Sequence, residues 1–324
     1  MIEVSNQDRV VFPESGGARA FTKGDVVAYY DAMASRILAH VEGRPLSIRR
    51  FPKGLRAPGF FQKNVPAHYP ESMRRFAVPR SDEATKRHKK AGTEEAASET
   101  VYAVVTERDH VPFLANQGAI ELHVPTQRAD VELRADRIVV DLDPPANVAG
   151  SAELARAAAR IVGEELERRG LASVPVATGS KGYHVVAPIA PELTADATLV
   201  TVYKLATLLA HRHDELTIAF RIANRGGRVF VDWLRNAPLA TVVAPWSLRA
   251  RLGAPIATPL RWDELERTAP DRFTLADRDE LVARPDPLAE LAREPPSPRA
   301  FVAAIDDEFA ASGLELPKFD RFRS

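Results

Sequence analysis

The strongest constraint on this chain lies in residues 138–145, where the sequence reads IVVDLDPP. A branched apolar run predicts a buried strand, and the two prolines end it because proline has no amide hydrogen to donate. Asp141 and Asp143 are two residues apart, so on a strand both side chains point to the same face. Two carboxylates this close repel each other. Such a pair is kept when a cation lies between them, or when both are simply hydrated at a strand end.

The composition limits which cation that could be. Cysteine is absent from the 324 residues, which excludes disulfides and thiolate metal sites, so a metal would need oxygen or imidazole ligands. No apolar run reaches the length of a membrane span, and the N-terminus lacks the layout of a signal peptide. We therefore expect no membrane association and a cytoplasmic location.

The chain has no net charge, but its basic residues are unevenly distributed along the sequence. Lys+Arg and Asp+Glu each total 44, so net charge gives no argument for a polyanionic partner. Six basic residues nevertheless lie within residues 44–63, and KRHKK at residues 86–90 forms a second cluster. Such runs are usually solvated faces, although segregated basic patches also allow a neutral protein to bind nucleic acid.

Apolar spacing and turn residues predict a mixture of helices and strands. Thr22 and Asp25 form a capping-box-like start to a helix that keeps its apolar spacing until Gly43. Further helices are predicted over residues 151–170 and 194–213 and, with proline breaks, after about residue 270. Predicted strands are RPLSIRRFP, PGFFQKNVP, GAIELHVP, DRIVVDLD, VPVATGSKGYHVVAPI (strand, turn, strand), GRVFVDWLRN and LATVVAPWSL. The polar residues 80–100 predict a mobile surface insertion. This irregular alternation favours an α/β or α+β fold with mixed sheets.

A third carboxylate, Asp232 in VFVDW, also follows a hydrophobic strand pattern. One such aspartate is usually explained by a hydrogen bond to a neighbouring amide. Three of them in a chain without cysteine favour a hard-cation site, because Mg²⁺ and Mn²⁺ prefer oxygen ligands. This is the ligand set of two-metal phosphoryl transfer.

Two further segments could bind anions. TGSKGYH at residues 178–184 has two glycines that allow backbone amides to approach an anion, with Lys181 adding charge, although such a turn is more often an ordinary hairpin. His184 is as consistent with a buried core histidine as with a ligand-binding group. In SLRARL, Arg249 and Arg251 alternate, so on a strand both guanidiniums would share one face, which suits a triphosphate. A solvated pair is the alternative for these arginines.

DLDP, TGSKGYH and VFVDWLRN…APWSLRAR resemble the three motifs of the archaeo-eukaryotic primase-like superfamily, in particular the polymerase domain of bacterial DNA ligase D and its stand-alone actinobacterial relatives. NQDRVVFP…TKGDVVAYY, GRPLSIRRFPKG, FFQKN and AIELHVP resemble the N-terminal half of that family in the same order. The likeness extends over most of residues 3–265. It implies a primase-polymerase fold in which an N-terminal α/β module packs on a catalytic sheet of RNA-recognition-motif type.

The resemblance assigns roles by matching positions. The metal ligands would be Asp141, Asp143 and Asp232. Nucleotide contacts would come from Lys63, His123, Thr178, Lys181, His184, Arg225, Arg249 and Arg251. A pocket for the 5′-phosphate of the downstream strand would be formed by Asn6, Arg9 and Lys23, and other DNA contacts by Lys53, Phe60 and Phe61. For this pocket we also expect the start of the predicted helix at Lys23 to offer unpaired amides to the phosphate.

The chain departs from the family pattern in several places. Thr178 stands where serine is common near the sugar 2′-hydroxyl, which leaves sugar selectivity open. Arg9 replaces a lysine and keeps its charge, and HVPTQR lacks a tryptophan that is common there. The longer insertion at residues 80–100 suggests a separate subgroup, which we expect to act without a fused ligase.

Together these features predict one catalytic domain over residues 1–324. It would have an N-terminal module to about residue 130, core motifs over about 131–270 and a helical segment over 271–324. The predicted activity is template-directed nucleotidyl transfer that fills short gaps or ends in DNA repair. It would use NTPs and dNTPs with Mn²⁺ or Mg²⁺ in a two-metal site. Expected partners are gapped or broken DNA with a 5′-phosphate, a separately encoded ATP-dependent ligase and Ku, at the nucleoid. The alternatives are a de novo primase and a non-catalytic DNA-end-binding module that recruits a ligase.

Overall fold

The computed structural model describes residues 3–79, 99–130, 132–146 and 148–317. The strands are β1 Val10–Phe12, β2 Phe21–Thr22, β3 Ser47–Arg50, β4 Phe60–Gln62, β5 Arg74–Pro79, β6 Glu99–Val104, β7 Ala119–Pro125, β8 Arg134–Asp143, β9 Val174–Ala177, β10 Tyr183–Thr194, β11 Leu216–Thr217, β12 Val229–Asp232, β13 Thr241–Val243 and β14 Thr258–Pro259. The α-helices are α1 Lys23–Ala32, α2 Ala34–Val41, α3 His110–Asn116, α4 Ser151–Arg168, α5 Ala195–Arg212, α6 Arg278–Ala283, α7 Pro287–Leu291 and α8 Arg299–Ser312. Of the predicted insertion at 80–100, residues 80–98 lie outside the described residues.

The chain divides into two units, and each contains discontinuous segments. The first unit comprises residues 1–129, 241–257 and 273–284, and the second comprises residues 130–240, 258–272 and 285–324. The prediction of a single catalytic domain stays a prediction.

The first unit contains a four-stranded sheet in the order β13-β7-β3-β4, paired antiparallel throughout. Two buried tyrosines of α1 join this sheet to the segment after β13. The Tyr29 hydroxyl donates to the Trp246 carbonyl at 2.8 Å, and the Tyr30 hydroxyl donates to the Ile120 carbonyl at 2.6 Å. These bonds satisfy polar atoms that would otherwise be costly to bury. They tie α1 to strand β7 and to the loop that carries the two arginines of SLRARL.

The helix predicted from Thr22 to Gly43 is interrupted. It begins as expected, with a reciprocal capping box between Thr22 and Asp25. Met33 then leaves helical geometry, with φ −93° and ψ 0°, and separates α1 from α2. Its side chain is fully buried. Tertiary packing of Met33 overrides a local pattern that would allow one continuous helix.

The second unit is built on a six-stranded sheet in the order β11-β12-β8-β10-β9-β14. The pairing is antiparallel except between β11 and β12. Helix α4 buries a stripe of small residues, and Gly163 lets the Trp262 ring lie so close that an added Cβ would be 2.2 Å from it. The Trp262 indole donates to the Ser173 carbonyl at 2.7 Å. Strands β8 and β10 lie in the interior of this sheet, and helix α4 packs against both.

The mixed α/β fold is confirmed, and most predicted elements have an observed counterpart, although strands β5 and β6 and helix α3 were not predicted. The apolar strand that ends in DLD is β8, the longest of the central strands after β10. The strand, turn and strand of residues 174–189 are β9 and β10. Within the described residues, no helix has both the length and the apolar character needed to cross a membrane.

Candidate active site

Strand pairing brings the three predicted metal ligands together in the second unit. The register of β8 with β12 sets Asp232 opposite Asp141, and Asp143 lies opposite Phe230. One carboxylate oxygen from each aspartate lies within 4.8 Å of the others. Asp141 and Asp232 are only 9% and 5% exposed. Neighbouring strands, and not the sequence spacing alone, therefore create the cluster.

Burial makes this cluster electrostatically costly. It raises the pKa of Asp232 to about 6, and the charges of Asp141 and Asp143 add to the rise, against the opposing charge of Arg235. Burial, followed by the charge of Asp141, also raises the pKa of Asp143. Carboxylates whose charged forms are disfavoured in this way gain when a cation binds among them. Three oxygen-donor side chains, partly desolvated and converging on a few ångströms, fit a hard divalent ion such as Mg²⁺ or Mn²⁺.

Arg235 is a cation in this cluster that sequence reasoning did not identify. Its Nε donates to Asp141 Oδ2 at 3.1 Å, and its second terminal nitrogen lies 3.1 Å from Asp232 Oδ2. It follows β12 in the short 3₁₀ turn Leu234–Asn236. The sequence signal was present, since an arginine three residues after a strand-end aspartate lies within reach of it.

His184 also lies in the cluster. It is opposite Asp141 in the β8–β10 register, with its Nε2 3.5 Å from Asp141 Oδ1, and only 5% of the residue is exposed. It is a buried side chain that faces the acidic cluster.

The glycine-rich turn between β9 and β10 is a tight structural turn. The Thr178 hydroxyl donates to the Gly182 carbonyl at 2.7 Å. Gly182 passes so near β8 that an added Cβ would lie 2.0 Å from the Leu142 carbonyl oxygen. Lys181, at the turn, is exposed. The turn thus holds a lysine in solvent beside the strand that carries Asp141 and Asp143, whereas Thr178 uses its hydroxyl within the turn.

Arg225 is placed by the loop before β12. Its guanidinium lies 4.0 Å from the centre of the Phe230 ring and donates to the carbonyls of Ala219 and Phe220. Its positive charge is among those that favour the ionised form of Asp143. Arg225 therefore acts electrostatically on the acidic cluster, and its predicted contact with the nucleotide stays a prediction.

A second group of predicted residues lies in the first unit, around Glu121. His123 Nε2 is 2.7 Å from one Glu121 oxygen, and the other oxygen accepts from the Ala250 amide at 2.8 Å. The same oxygen lies 3.5 Å from Arg249 Nε and 3.4 Å from a terminal nitrogen of Arg49. Sequence reasoning gave His123 as a nucleotide contact but assigned Glu121 no role.

Glu121 is 2% exposed and remains ionised. Burial by itself raises its pKa. The hydrogen bond with His123, the charges of Arg249 and His123 and the Ala250 amide outweigh burial and lower the pKa to about 2. A fixed negative charge therefore orients His123 and Arg249.

The prediction that Arg249 and Arg251 alternate on a strand is wrong. Leu248 forms one isolated bridge with Ile256, and between them the chain makes a turn in which the Arg251 amide donates to the Arg249 carbonyl at 2.8 Å. Arg249 is half-buried against Glu121, whereas Arg251 is exposed. The ion pair with Glu121, and not strand alternation, determines where the Arg249 side chain points.

The predicted phosphate-binding residues surround a cavity of about 210 Å³ in the first unit. Asn6, Arg9 and Lys23 line it together with Arg50 and Gln117. Lys23 is 7% exposed and donates to the Ser5 carbonyl at 2.7 Å and the Ser5 hydroxyl at 2.8 Å. Burial, and then the nearby charge of Arg9, lower the pKa of the Lys23 ammonium.

The helix end beside this cavity does not supply free amides, so that part of the expectation is wrong. The amides of Lys23 and Gly24 donate to the carbonyls of Arg9 and Gln7, both at 2.8 Å, and the Asp25 amide donates to Thr22 Oγ1. The preceding segment folds back and occupies the start of α1. Of the groups predicted to bind phosphate, the basic side chains line the cavity.

Arg50 was missed by sequence reasoning, although it stands in the basic segment. It donates twice to the Gln117 carbonyl and once to the Gln62 side chain, and its guanidinium lies 5.6 Å from the Phe60 ring. Phe60 and Phe61, on the edge strand β4, are 48% and 59% exposed. Exposed aromatic side chains beside cations suit stacking on bases. Lys53 lies in the turn before β4 and Lys63 directly after β4, and both are exposed.

The chain is similar to a known protein family. The family described as LigD, primase-polymerase domain, matches residues 22–288. The multifunctional non-homologous end joining DNA repair protein LigD of Mycobacterium tuberculosis is 33% identical over 300 residues, which cover 89% of this chain and 36% of that protein. The bifunctional non-homologous end joining protein LigD of Bacillus subtilis is 28% identical over 277 residues, covering 85% of this chain and 41% of that protein. The chain thus spans well under half the length of these relatives.

A solved structure shows the same fold. The polymerase domain from Mycobacterium tuberculosis ligase D, in complex with DNA, superposes with a TM-score of 0.77 at 29% identity, covering 91% of this chain and 99% of that one. These matches confirm the resemblance predicted from the motifs. They also confirm that the family is one of primase-polymerases. The chain belongs to the family of LigD primase-polymerase domains.

Proposed function

We propose that this protein is a template-directed primase-polymerase that extends a DNA primer 3′-hydroxyl while filling short gaps or ends in non-homologous end joining. The observation that carries the proposal is the convergence of Asp141, Asp143 and Asp232, with one oxygen of each within 4.8 Å of the others. A protein that only bound DNA would have no use for three buried or half-buried carboxylates that repel one another. Family membership supports the same reaction class.

The three aspartates would hold Mg²⁺ or Mn²⁺. When bound, such ions lower the proton affinity of a hydroxyl and offset charge on a transferring phosphate. Lys181 and His184 are proposed to contact the phosphates of the incoming NTP or dNTP, with Lys63, Thr178 and Arg225 as further nucleotide contacts. These cations would act by charge-assisted hydrogen bonds, which are stronger than neutral ones.

The residues around Glu121 are proposed to bind nucleotide phosphates. Glu121 fixes His123 and Arg249 in their observed directions, while Arg251 stays exposed and accessible. A guanidinium held in place by a buried carboxylate loses less conformational freedom when it binds phosphate. Arg249 is therefore a preorganised phosphate contact.

The cavity beside α1 is proposed to recognise the 5′-phosphate of the downstream strand through Arg9 and Lys23, with Asn6 at its rim. Within the described part of the chain, the buried Lys23 ammonium donates to the two Ser5 oxygens and has a lowered pKa, so a dianionic phosphate would stabilise its charge. Lys53, Phe60 and Phe61 are proposed to contact the adjoining DNA.

The decisive experiment is primer extension on a gapped duplex with a downstream 5′-phosphate, comparing Mg²⁺ with Mn²⁺ and NTPs with dNTPs. We expect the wild-type protein to extend the primer and Asp143→Ala to lose extension while keeping its affinity for DNA. Asp307→Ala, which removes an exposed carboxylate from α8, is the matched control and should retain activity. Extension by Asp143→Ala at the wild-type rate would exclude the proposed catalytic role of the triad.

The same assay separates the alternatives. Abundant dinucleotides on unprimed single strands would favour a de novo primase. Tight DNA binding without incorporation under any metal or nucleotide condition would favour an end-binding module that recruits a ligase. Ku and a separately encoded ATP-dependent ligase are proposed as partners at the nucleoid in the cytoplasm, since end joining requires both recognition and sealing of the break.

A further inference from the structure

Arg235 forms ion pairs with two of the three aspartates of the cluster. Its Nε contacts Asp141 and a terminal nitrogen contacts Asp232, each at 3.1 Å, so the planar guanidinium spans the two carboxylates. The charges of these aspartates are what raise the pKa of Arg235, against the effect of its own burial, so the arginine is positively charged under all ordinary conditions. The cluster thus contains a cation supplied by the chain itself.

We propose that Arg235 is an internal counter-ion that competes with the divalent metal for Asp141 and Asp232 and must release them when the metal binds. The proposal rests on the metal-binding role of the triad proposed above. An Asp oxygen that accepts a charged hydrogen bond from arginine is less available to a metal. The positive charge of Arg235, 3.1 Å from those oxygens, also repels an incoming divalent ion.

The backbone around Arg235 is fixed, which confines any release to the side chain. The neighbouring Asn236 is fully buried and bonds both the amide and the carbonyl of Val139, at 2.9 and 2.7 Å. The Leu234 amide donates to Asp232 Oδ1 at 3.0 Å. The 3₁₀ turn is therefore pinned to strands β8 and β12 on both sides of Arg235.

The Arg235 side chain itself is free enough to move. It is 39% exposed, in contrast with the nearly buried Asp141 and Asp232. A guanidinium on the solvent side of the pair can rotate outward without opening the core. Among the described residues, the ion pairs of Arg235 are with Asp141 and Asp232, so the half-buried Asp143 carboxylate would be the first contact for the metal.

Two opposite effects follow from removing this cation. Without metal, Arg235→Gln would leave two buried carboxylates without their counter-ion, which destabilises the fold. With metal, the same change would remove the competitor and increase affinity. A residue that merely positioned the carboxylates for the metal would produce the reverse, a loss of affinity.

The test is calorimetric titration of Mn²⁺ into the full-length protein without DNA or nucleotide, combined with the melting temperature of the metal-free protein. We expect Arg235→Gln to bind Mn²⁺ with a Kd at least about tenfold lower, and to melt at least about 3 °C below the wild type until Mn²⁺ is added. Arg235→Lys keeps the charge but not the planar fork and should fall between the two. Arg160→Gln removes a cation that pairs with Glu266 and should change neither quantity.

A second substitution ties the gain in affinity to the cluster. Adding Asp143→Ala to Arg235→Gln should abolish the tight Mn²⁺ binding. An Arg235→Gln protein that binds Mn²⁺ equally well or more weakly than the wild type would overturn the proposal while leaving the metal site intact. Absence of Mn²⁺ binding in both proteins would overturn the metal role of the triad itself. If Arg235→Gln does not fold without metal, folding on addition of Mn²⁺ supports the proposal and failure to fold at saturating Mn²⁺ contradicts it.

Discussion

Glu121→Gln removes a single negative charge from the centre of a group of polar contacts in the first unit. The carboxylate interacts with His123, the Ala250 amide, Arg249 and Arg49, and it is 2% exposed. Glutamine has nearly the same shape, so the substitution leaves no large cavity. The measured change should therefore report the charge and its hydrogen bonds.

The pKa of Glu121 sets the magnitude. It falls from the ordinary 4.5 to about 2, because the contacts with His123, Arg249 and Ala250 outweigh the opposing effect of burial. At 1.36 kcal/mol for each pKa unit, this difference corresponds to about 3 kcal/mol of folding free energy at pH 7. Because the pKa is lower in the folded protein, the contribution is complete above about pH 4.5 and is lost as the pH falls toward 2. At pH 3 less than half of it remains.

Urea unfolding of the wild type and of Glu121→Gln at pH 7 and at lower pH measures this difference. We expect the variant to be less stable by about 3 kcal/mol at pH 7, with the gap narrowing as the pH is lowered from 4.5. Glu167→Gln on the exposed face of α4 is the control and should stay within about 0.5 kcal/mol of the wild type. Two results would refute the assignment of Glu121 as an ionised group that stabilises the fold. One is a difference in unfolding free energy below about 1 kcal/mol at pH 7, and the other is a difference that does not change with pH.

Three further outcomes are expected. Arg249→Ala should raise the KM for the nucleotide about tenfold or more at unchanged DNA affinity, because a charge-assisted hydrogen bond contributes about 1.5–3 kcal/mol; a change in DNA affinity alone would assign the arginine to DNA. Wild-type protein should prefer a gapped duplex with a downstream 5′-phosphate over the same duplex without it, less so at high salt. Lys23→Ala combined with Arg9→Ala should abolish that preference, and equal wild-type affinity for the two duplexes would contradict the pocket assignment. Gly182→Ala should destabilise the second unit by about 2 kcal/mol in urea unfolding, since its Cβ would meet the Leu142 carbonyl at 2.0 Å; wild-type stability would show that β8 and β10 can separate freely.

Much of the fold could be predicted from the sequence because its elements are locally specified. Strand β8, helix α4 and the turn between β9 and β10 follow from apolar periodicity and from glycine and proline positions. The capping box at Thr22 marks the start of α1 correctly. The end of α1 could not be predicted in this way, because the burial of Met33 depends on packing partners remote in the sequence.

The site divides along the same line. The motifs alone identified Asp141, Asp143 and Asp232, because aspartates at the ends of apolar strands are conspicuous without any partner. Only the register of β8 with β12 and β10 decided that Asp232 and His184 lie opposite Asp141. Strand register depends on contacts between distant segments, which sequence spacing does not encode.

Charge pairing was decided entirely by the tertiary structure. Composition shows equal numbers of acidic and basic residues, but not that Glu121 orients Arg249, that Arg50 lines the cavity beside α1, or that Arg235 spans two aspartates. The amides at the start of α1 are likewise occupied by carbonyls of a segment that precedes the helix. The sequence by itself determined which chemical groups this protein has and on which strands and helices they lie. The folded chain decided which of them are paired, because ion pairs and hydrogen bonds form over a few ångströms between residues that can be more than a hundred positions apart.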